Sequence, residues 1–194
     1  LHKAIRRQRQ MCIRDRSEVS LGIIIALHTG MRIGEICALM WEDVDFENDV
    51  IHIRHTVARV KSTNKFSKTK LIIDSPKTIS SKRDIPISSV LKPILFSASK
   101  HKKSNYVVPS NNSFMGTRTF DYRYRQLLKS NNISIFNFHT IRHMFATRCI
   151  DVGVDVKTLS EILGHSNVST TLNTYVHPSM EIKKSQIEKL YTSA

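Results

Sequence analysis

Residues 138 to 148 read FHTIRHMFATR, which places two histidines and two arginines in a stretch with helical spacing. On a helix His139, Arg142 and His143 stand at i, i+3 and i+4, so all three share one face. Three chemistries use such a cluster: metal ligation, binding of a nucleic-acid backbone, or reaction at a phosphate. A zinc site would take His139 and His143 as an i, i+4 ligand pair. No glutamate follows His139, as a metalloprotease needs, and no third ligand cluster is evident. The plain alternative is a helix with His143 packed inward and Arg142 in solvent.

Two further stretches carry related residues. HTGMRIGE, residues 28 to 35, sets Arg32 at a glycine-marked turn where a helix resumes. LGHSNVSTTLNTYVHPS, residues 163 to 179, offers Gly164 as a helix terminator, His165 directly after it and Tyr175 ten residues later. Tyr175 has STT before it and HPS after it, a polar setting in which a merely structural tyrosine is uncommon. It is expected on a mobile segment beyond the glycine-terminated helix. Tyr106, Tyr122, Tyr124 and Tyr191 lack such company of histidine and arginine.

Taken in order, these boxes resemble the catalytic domain of the tyrosine recombinases, the phage integrase family, in particular those of bacterial integrative elements. That family carries an arginine in a TGxRxGE box, a lysine in a β-hairpin, a His-x-x-Arg pair, an LGH histidine and a tyrosine about ten residues on. Arg32, Lys77, His139, Arg142, His165 and Tyr175 fill those positions in that order, within a match from about Ser17 to Leu190. Each box alone is weak, whereas the ordered set is specific.

The resemblance implies a site-specific enzyme that cuts and rejoins double-stranded DNA through a 3′-phosphotyrosine link, with no metal and no nucleotide cofactor. Elementary chemistry agrees. In-line attack on a phosphodiester builds negative charge on the nonbridging oxygens, and arginine forks match that geometry. Arg32 and Arg142 are then the clamp and Tyr175 the nucleophile. A phenol titrates near pH ~10 and needs help to lose its proton, for which His139 is the general base. Lys77, chosen over Lys82 by the resemblance, would protonate the departing 5′ oxygen, and His165 would donate a hydrogen bond to the phosphate. Glu35 has no evident partner in the sequence, though it can hold a neighbour in place. His28, His143 and His177 are assigned structural roles. Two other readings stand beside this one: an inactive basic DNA-binding module, and an enzyme like a type IB topoisomerase.

The rest of the chain must position these groups. Its 194 residues, 40% of them hydrophobic, suffice for one sizeable core but not comfortably for two. Thirty Lys and Arg against 16 Asp and Glu give a formal charge of +14, which favours a polyanionic partner. The basic residues are scattered through folded-looking segments, which favours nucleic acid over a membrane surface. The longest apolar run, LGIIIAL, is too short to span a bilayer. Cys12, Cys37 and Cys149 are widely spaced and no secretory signal is evident, so reduced thiols in a bacterial cytoplasm are expected, with Cys37 and Cys149 filling core space.

MCIRDR, residues 11 to 16, resembles the peptide encoded by a transposase end sequence used in preparing sequencing libraries. Residues 1 to 16 are therefore expected to be non-native or linker, and residues 17 to 194 the catalytic domain, without the N-terminal domain that grips DNA in family members. Discounting those 16 residues removes six positive charges and one negative, which leaves +9.

The expected fold class is α+β: a mainly helical domain with a small three-stranded antiparallel sheet. Ser17 to Gly30 reads as a capped helix, and RIGEICALMWEDV as a second with Ile33, Ile36, Cys37 and Met40 on one face. VIHIRHTVARV, TKLIIDS and KRDIPIS are strand candidates between about 50 and 87, with PKTISS as the turn closing a hairpin between the last two. Helices are expected near 88 to 100, 117 to 129, 138 to 152, 155 to 163 and 178 to 192. In the last of these Met180, Ile187 and Leu190 form an apolar stripe. By the resemblance, that helix would dock on a neighbouring subunit in a homotetramer assembled on DNA.

Overall fold

The computed structural model describes residues 17–62, 68–75 and 81–175, together with positions 180, 184, 187, 188 and 191. Among the described residues the first element is helix α1 (Glu18–Thr29). Ser17 caps it by accepting a hydrogen bond from the Ser20 N–H at 3.3 Å. Gly30 ends it in the left-handed conformation, φ 65°, which a Cβ would strain. The run from Gly22 to Ala26 is buried on every side, as a helix apolar all round must be. It packs against three other helices introduced below, at 33–38, 117–130 and 139–151.

Helix α2 (Ile33–Ala38) is shorter than the sequence pattern suggests. It stops before Met40, and a 3-10 turn spans Trp41–Asp43. Ile36 and Cys37 are fully buried, and burial pushes the Cys37 thiol up to about 12, consistent with a space-filling role. Cys149 is half-buried.

The strands pair differently from the expectation. VIHIRHTVARV breaks at Arg54–His55 into β2 (Val50–Ile53) and β3 (Thr56–Lys61). A three-stranded antiparallel sheet joins β1 (Val44–Asp45), β2 and β5 (Arg83–Pro86), with Ile51 opposite Ile85 and Ile53 opposite Arg83. Strand β4 (Thr69–Asp74) pairs with β3 in a separate hairpin, not with β5. A two-residue break re-aims the chain, and local β-propensity cannot reveal it, since propensity is indifferent to which neighbour a strand finds. The proposed PKTISS turn falls at 76–80, outside the described residues, as do Lys77, His177 and residues 1–16.

Helix α3 (Lys92–Ser99) and a short hairpin of β6 (Pro109–Ser110) and β7 (Ser113–Phe114) lead to α4 (Thr117–Ser130). Phe120, Tyr124 and Leu128 recur at i, i+4 and i+8 and are fully buried, while Arg118, Tyr122 and Arg125 stand exposed on the other side. Phe138 meets Phe120 and Tyr124 edge-on at 5.1 and 5.2 Å, contacts worth roughly 0.5–1.5 kcal/mol each beyond area burial. This anchors the start of α5 (His139–Asp151). Next come α6 (Val156–Leu163), ended by Gly164 with φ 66°, and α7 (Val168–Tyr175). Among the described residues no helix is long and apolar enough to cross a membrane.

Helix α7 was not expected from the sequence, which has Thr and Val where helix formers would stand. Local and tertiary contacts supply what propensity lacks. The Asn167 side chain accepts from the Ser169 N–H at 2.8 Å, Thr171 is fully buried, and Tyr175 packs beside Phe145, Cys149 and Ile150 against the small Ala146–Leu159–Leu163 core. Tyr175 therefore stands on helix α7 and does not sit on an irregular segment.

Candidate active site

Arg32 stands at the start of α2, where Glu35 ties it down twice. One carboxylate oxygen accepts from the Arg32 backbone N–H at 2.8 Å and the other from Nη1 at 2.9 Å. Glu35 is only 3% exposed and is also gripped by Arg83, whose Nη1 and Nη2 each donate to it at 2.9 Å. Burial pushes the Glu35 carboxyl up, but the hydrogen bonds and charge of Arg83, and then of Arg32, outweigh it and leave it below the usual carboxylate range. The partner that the sequence did not reveal for Glu35 is thus a pair of arginines.

Arg142, on the first turns of α5, is 2% exposed. Its Nη1 donates to the Gly30 carbonyl at 2.9 Å and its Nη2 to the Leu163 carbonyl at 2.7 Å. Burial, then the neighbouring Arg32 charge, pulls its guanidinium down to about 9, still protonated at neutral pH.

One feature of α6 gathers all three arginines. The last carbonyls of a helix have no partner within it and carry the negative end of its dipole. Here Ile162 accepts from Arg83 Nε at 2.6 Å, Leu163 from Arg142 and Gly164 from Arg32 Nη2 at 3.1 Å. Three consecutive carbonyls thus fix three guanidinium groups that are remote from one another in sequence. The left-handed turn at Gly164 then sends the chain to His165.

The histidines and the tyrosine complete the cluster. His165 is half-buried, its Nδ1 2.8 Å from the Thr171 hydroxyl. With that hydroxyl donating, the neutral ring carries its proton on Nε2, the tautomer that can donate to a phosphate. The rings of His139 and His143 meet edge-to-face at 4.7 Å, and His143 lies 5.5 Å from the Tyr175 ring. His143, read from the sequence as structural, therefore stands beside the tyrosine, while His139 has no ring contact with it among the described residues. Burial, then the charges of His143 and Arg142, lowers His139, which favours the neutral form able to accept a proton. Burial raises the Tyr175 hydroxyl, against the opposing pull of Arg142 and Arg32.

A groove of about 670 Å3 opens on this cluster, lined by Arg32, His139 and Arg142 together with Thr56, Arg118 and Arg125. His165 and Tyr175 do not line it. They join the arginines from the side of α6 and α7. Five of the six expected residues are thus brought together, and Lys77 lies outside the described residues. Among the described residues no group of three His, Cys, Asp or Glu is placed to hold a metal ion. The buried Arg83 escaped the sequence reading, yet a signal was present. In KRDIPIS it is in phase with Ile85 and Ile87, which are 2% and 6% exposed, and a charge in phase with core residues implies a buried partner.

Fold and site together define a basic, mainly helical domain whose paired guanidinium groups, histidines and tyrosine suit reaction at a phosphate. The family model described as the phage integrase family matches residues 3–181, and the chain belongs to that family. A XerC-like tyrosine recombinase of Caldanaerobacter subterraneus subsp. tengcongensis is 32% identical over 185 residues, which cover 86% of this chain and 47% of that protein. The transposase from transposon Tn916 of Enterococcus faecalis is 28% identical over 87% of this chain and 44% of its own length. The Tn1549 transposon integrase in complex with a circular intermediate DNA superposes with a TM-score of 0.75 at 30% identity, covering 88% of this chain and 58% of that one. The chain spans about half the length of the curated relatives it matches.

Proposed function

We propose that this chain is the catalytic part of a site-specific DNA recombinase that cleaves and rejoins duplex DNA through a 3′-phosphotyrosine link. The observation that carries the reading is the pinning of Arg32 and Arg142 to adjacent carbonyls of α6, in a cluster that includes a half-buried tyrosine. The scissile phosphate sits between the two guanidinium groups, and the exposed face of α4 with Arg118 and Arg125 carries the adjoining backbone.

The Tyr175 oxygen attacks phosphorus, the bond to the 5′ oxygen breaks, and one covalent bond replaces another, so no external energy source is required. His139 accepts the phenolic proton, Lys77 supplies one to the departing oxygen, and His165 donates a hydrogen bond to the phosphate. A 5′ hydroxyl reverses the sequence on rejoining. The C-terminal helix makes a trans contact with a second copy in a tetramer on DNA.

The test is covalent capture on a nicked duplex. Tyr175→Phe should bind DNA yet form no adduct, while an adduct on the Phe variant, or one mapped to another tyrosine, would defeat the reading. Lys77→Ala should slow cleavage of the ordinary substrate but largely spare one with sulfur at the bridging 5′ position, a far better leaving group. Equal losses would leave Lys77 a phosphate contact only.

A further inference from the structure

Arg83 takes no part in the chemistry described above, yet it is the most heavily engaged cation near the site. Its side chain is 6% exposed on the inward face of β5. It makes two bonds to Glu35, one to the Ile162 carbonyl and one to the Ser81 carbonyl. Glu35 is shared between Arg83 and Arg32, so the three side chains form one row of guanidinium, carboxylate and guanidinium, buried at Arg83 and Glu35 and 36% exposed at Arg32. The net charge of that row decides what Arg32 can offer a phosphate.

With Arg83 present the row sums to +1. Without it, the buried Glu35 carboxylate would neutralise Arg32 one to one. The carboxylate, deprived of its bidentate partner, would also draw the Arg32 fork toward itself and away from incoming phosphate oxygens. We propose that Arg83 is a positioning residue that occupies Glu35 so that Arg32 keeps its positive charge and its aim for the phosphate. The same residue ties β5 to the end of α6, one carbonyl before the one that holds Arg142. Both halves of the clamp are thereby referred to one platform. This inference rests on the reading of the site as a phosphate clamp.

Charge balance makes a prediction that mere structural support does not. Arg83→Met should slow covalent capture at saturating DNA by on the order of 100-fold, the scale of a misplaced reacting group. Adding Glu35→Gln removes the unbalanced carboxylate and returns the row to +1, so the double variant should recover most of that loss although it has lost two partners. A purely structural Arg83 would make the double variant no better than the single one. Thermal melts of each protein show whether it is folded.

A wild-type rate in Arg83→Met, or a folded double variant no faster than the single, overturns the proposal. Should the methionine variants not fold, Arg83→Lys, which keeps the row at +1 while giving up the two-pronged grip, is expected within about tenfold of wild type, and a loss near 100-fold with unchanged melting overturns the proposal instead. Tyr175→Phe runs alongside. An adduct on that variant, or none on the wild type, fails the reading of the site. A wild-type adduct that Tyr175→Phe abolishes and Arg83→Met leaves untouched fails only the role given to Arg83.

Discussion

His165 shows how far a site made of arginines reshapes a single residue. From an ordinary value of 6.5 it falls to about 4, first through burial and then through the charges of Arg142 and Arg32. The unfolded chain therefore takes up a proton near pH 6.5 that the folded chain refuses until about pH 4. The stability from keeping this ring neutral is complete above pH 6.5 and drains away as the pH falls toward 4. Melting temperatures of the wild type should drop on acidification across that window, and His165→Asn should drop less steeply. Parallel curves for the two proteins would show that the ring is not held neutral. His139 is lowered in the same direction, so the variant is needed to isolate His165.

Among the elements, the junction of α1 with α5 and α6 matters most. Gly30 ends α1 in the left-handed region, and its carbonyl holds Arg142. A Cβ there would lie 2.5 Å from Phe145 Cδ1 and 2.9 Å from Leu163 Cδ2, one side chain on α5 and one on α6. Gly30→Ala thus carries a backbone penalty of ~1–2 kcal/mol and an overpacking penalty of ~1–3 kcal/mol. It should lower the denaturation midpoint and, by displacing the carbonyl that pins Arg142, slow covalent capture more than DNA binding. A midpoint within error of wild type would show that the junction is looser than its contacts imply.

For the molecule as a whole, the proposed assembly on DNA would draw on the C-terminal end. Met180 and Ile187 are 65% and 58% exposed, and Tyr191 is 76% exposed. Three large apolar side chains left in solvent suit a surface that a second copy covers. Removing residues 180–194 should leave binding of one protomer to its DNA intact while abolishing complexes of higher order, as read by native gel or light scattering. Unchanged assembly would place the contact elsewhere. The formal charge of +14 and the groove between α4 and the clamp are the features that the proposed binding of duplex DNA would use.

The sequence by itself determined the helical boxes, the apolar α1, the helix near 117 to 129 and the ordered set of Arg32, His139, Arg142, His165 and Tyr175. These follow from short-range spacing, which a linear string preserves. Only the tertiary structure decided which strands pair, because the break at Arg54–His55 sends β3 and β4 off as a hairpin and leaves β5 to β2. The same holds for the helix under Tyr175, which owes its existence to packing more than to propensity, and for His143, which reaches the tyrosine only once α7 folds back on α5. The union of Arg32, Arg83 and Arg142 at three successive carbonyls of α6 was equally invisible. Hydrogen bonds between residues up to 132 positions apart leave no periodicity to read, and what recruits them is the unsatisfied end of a helix, a property that exists only after folding.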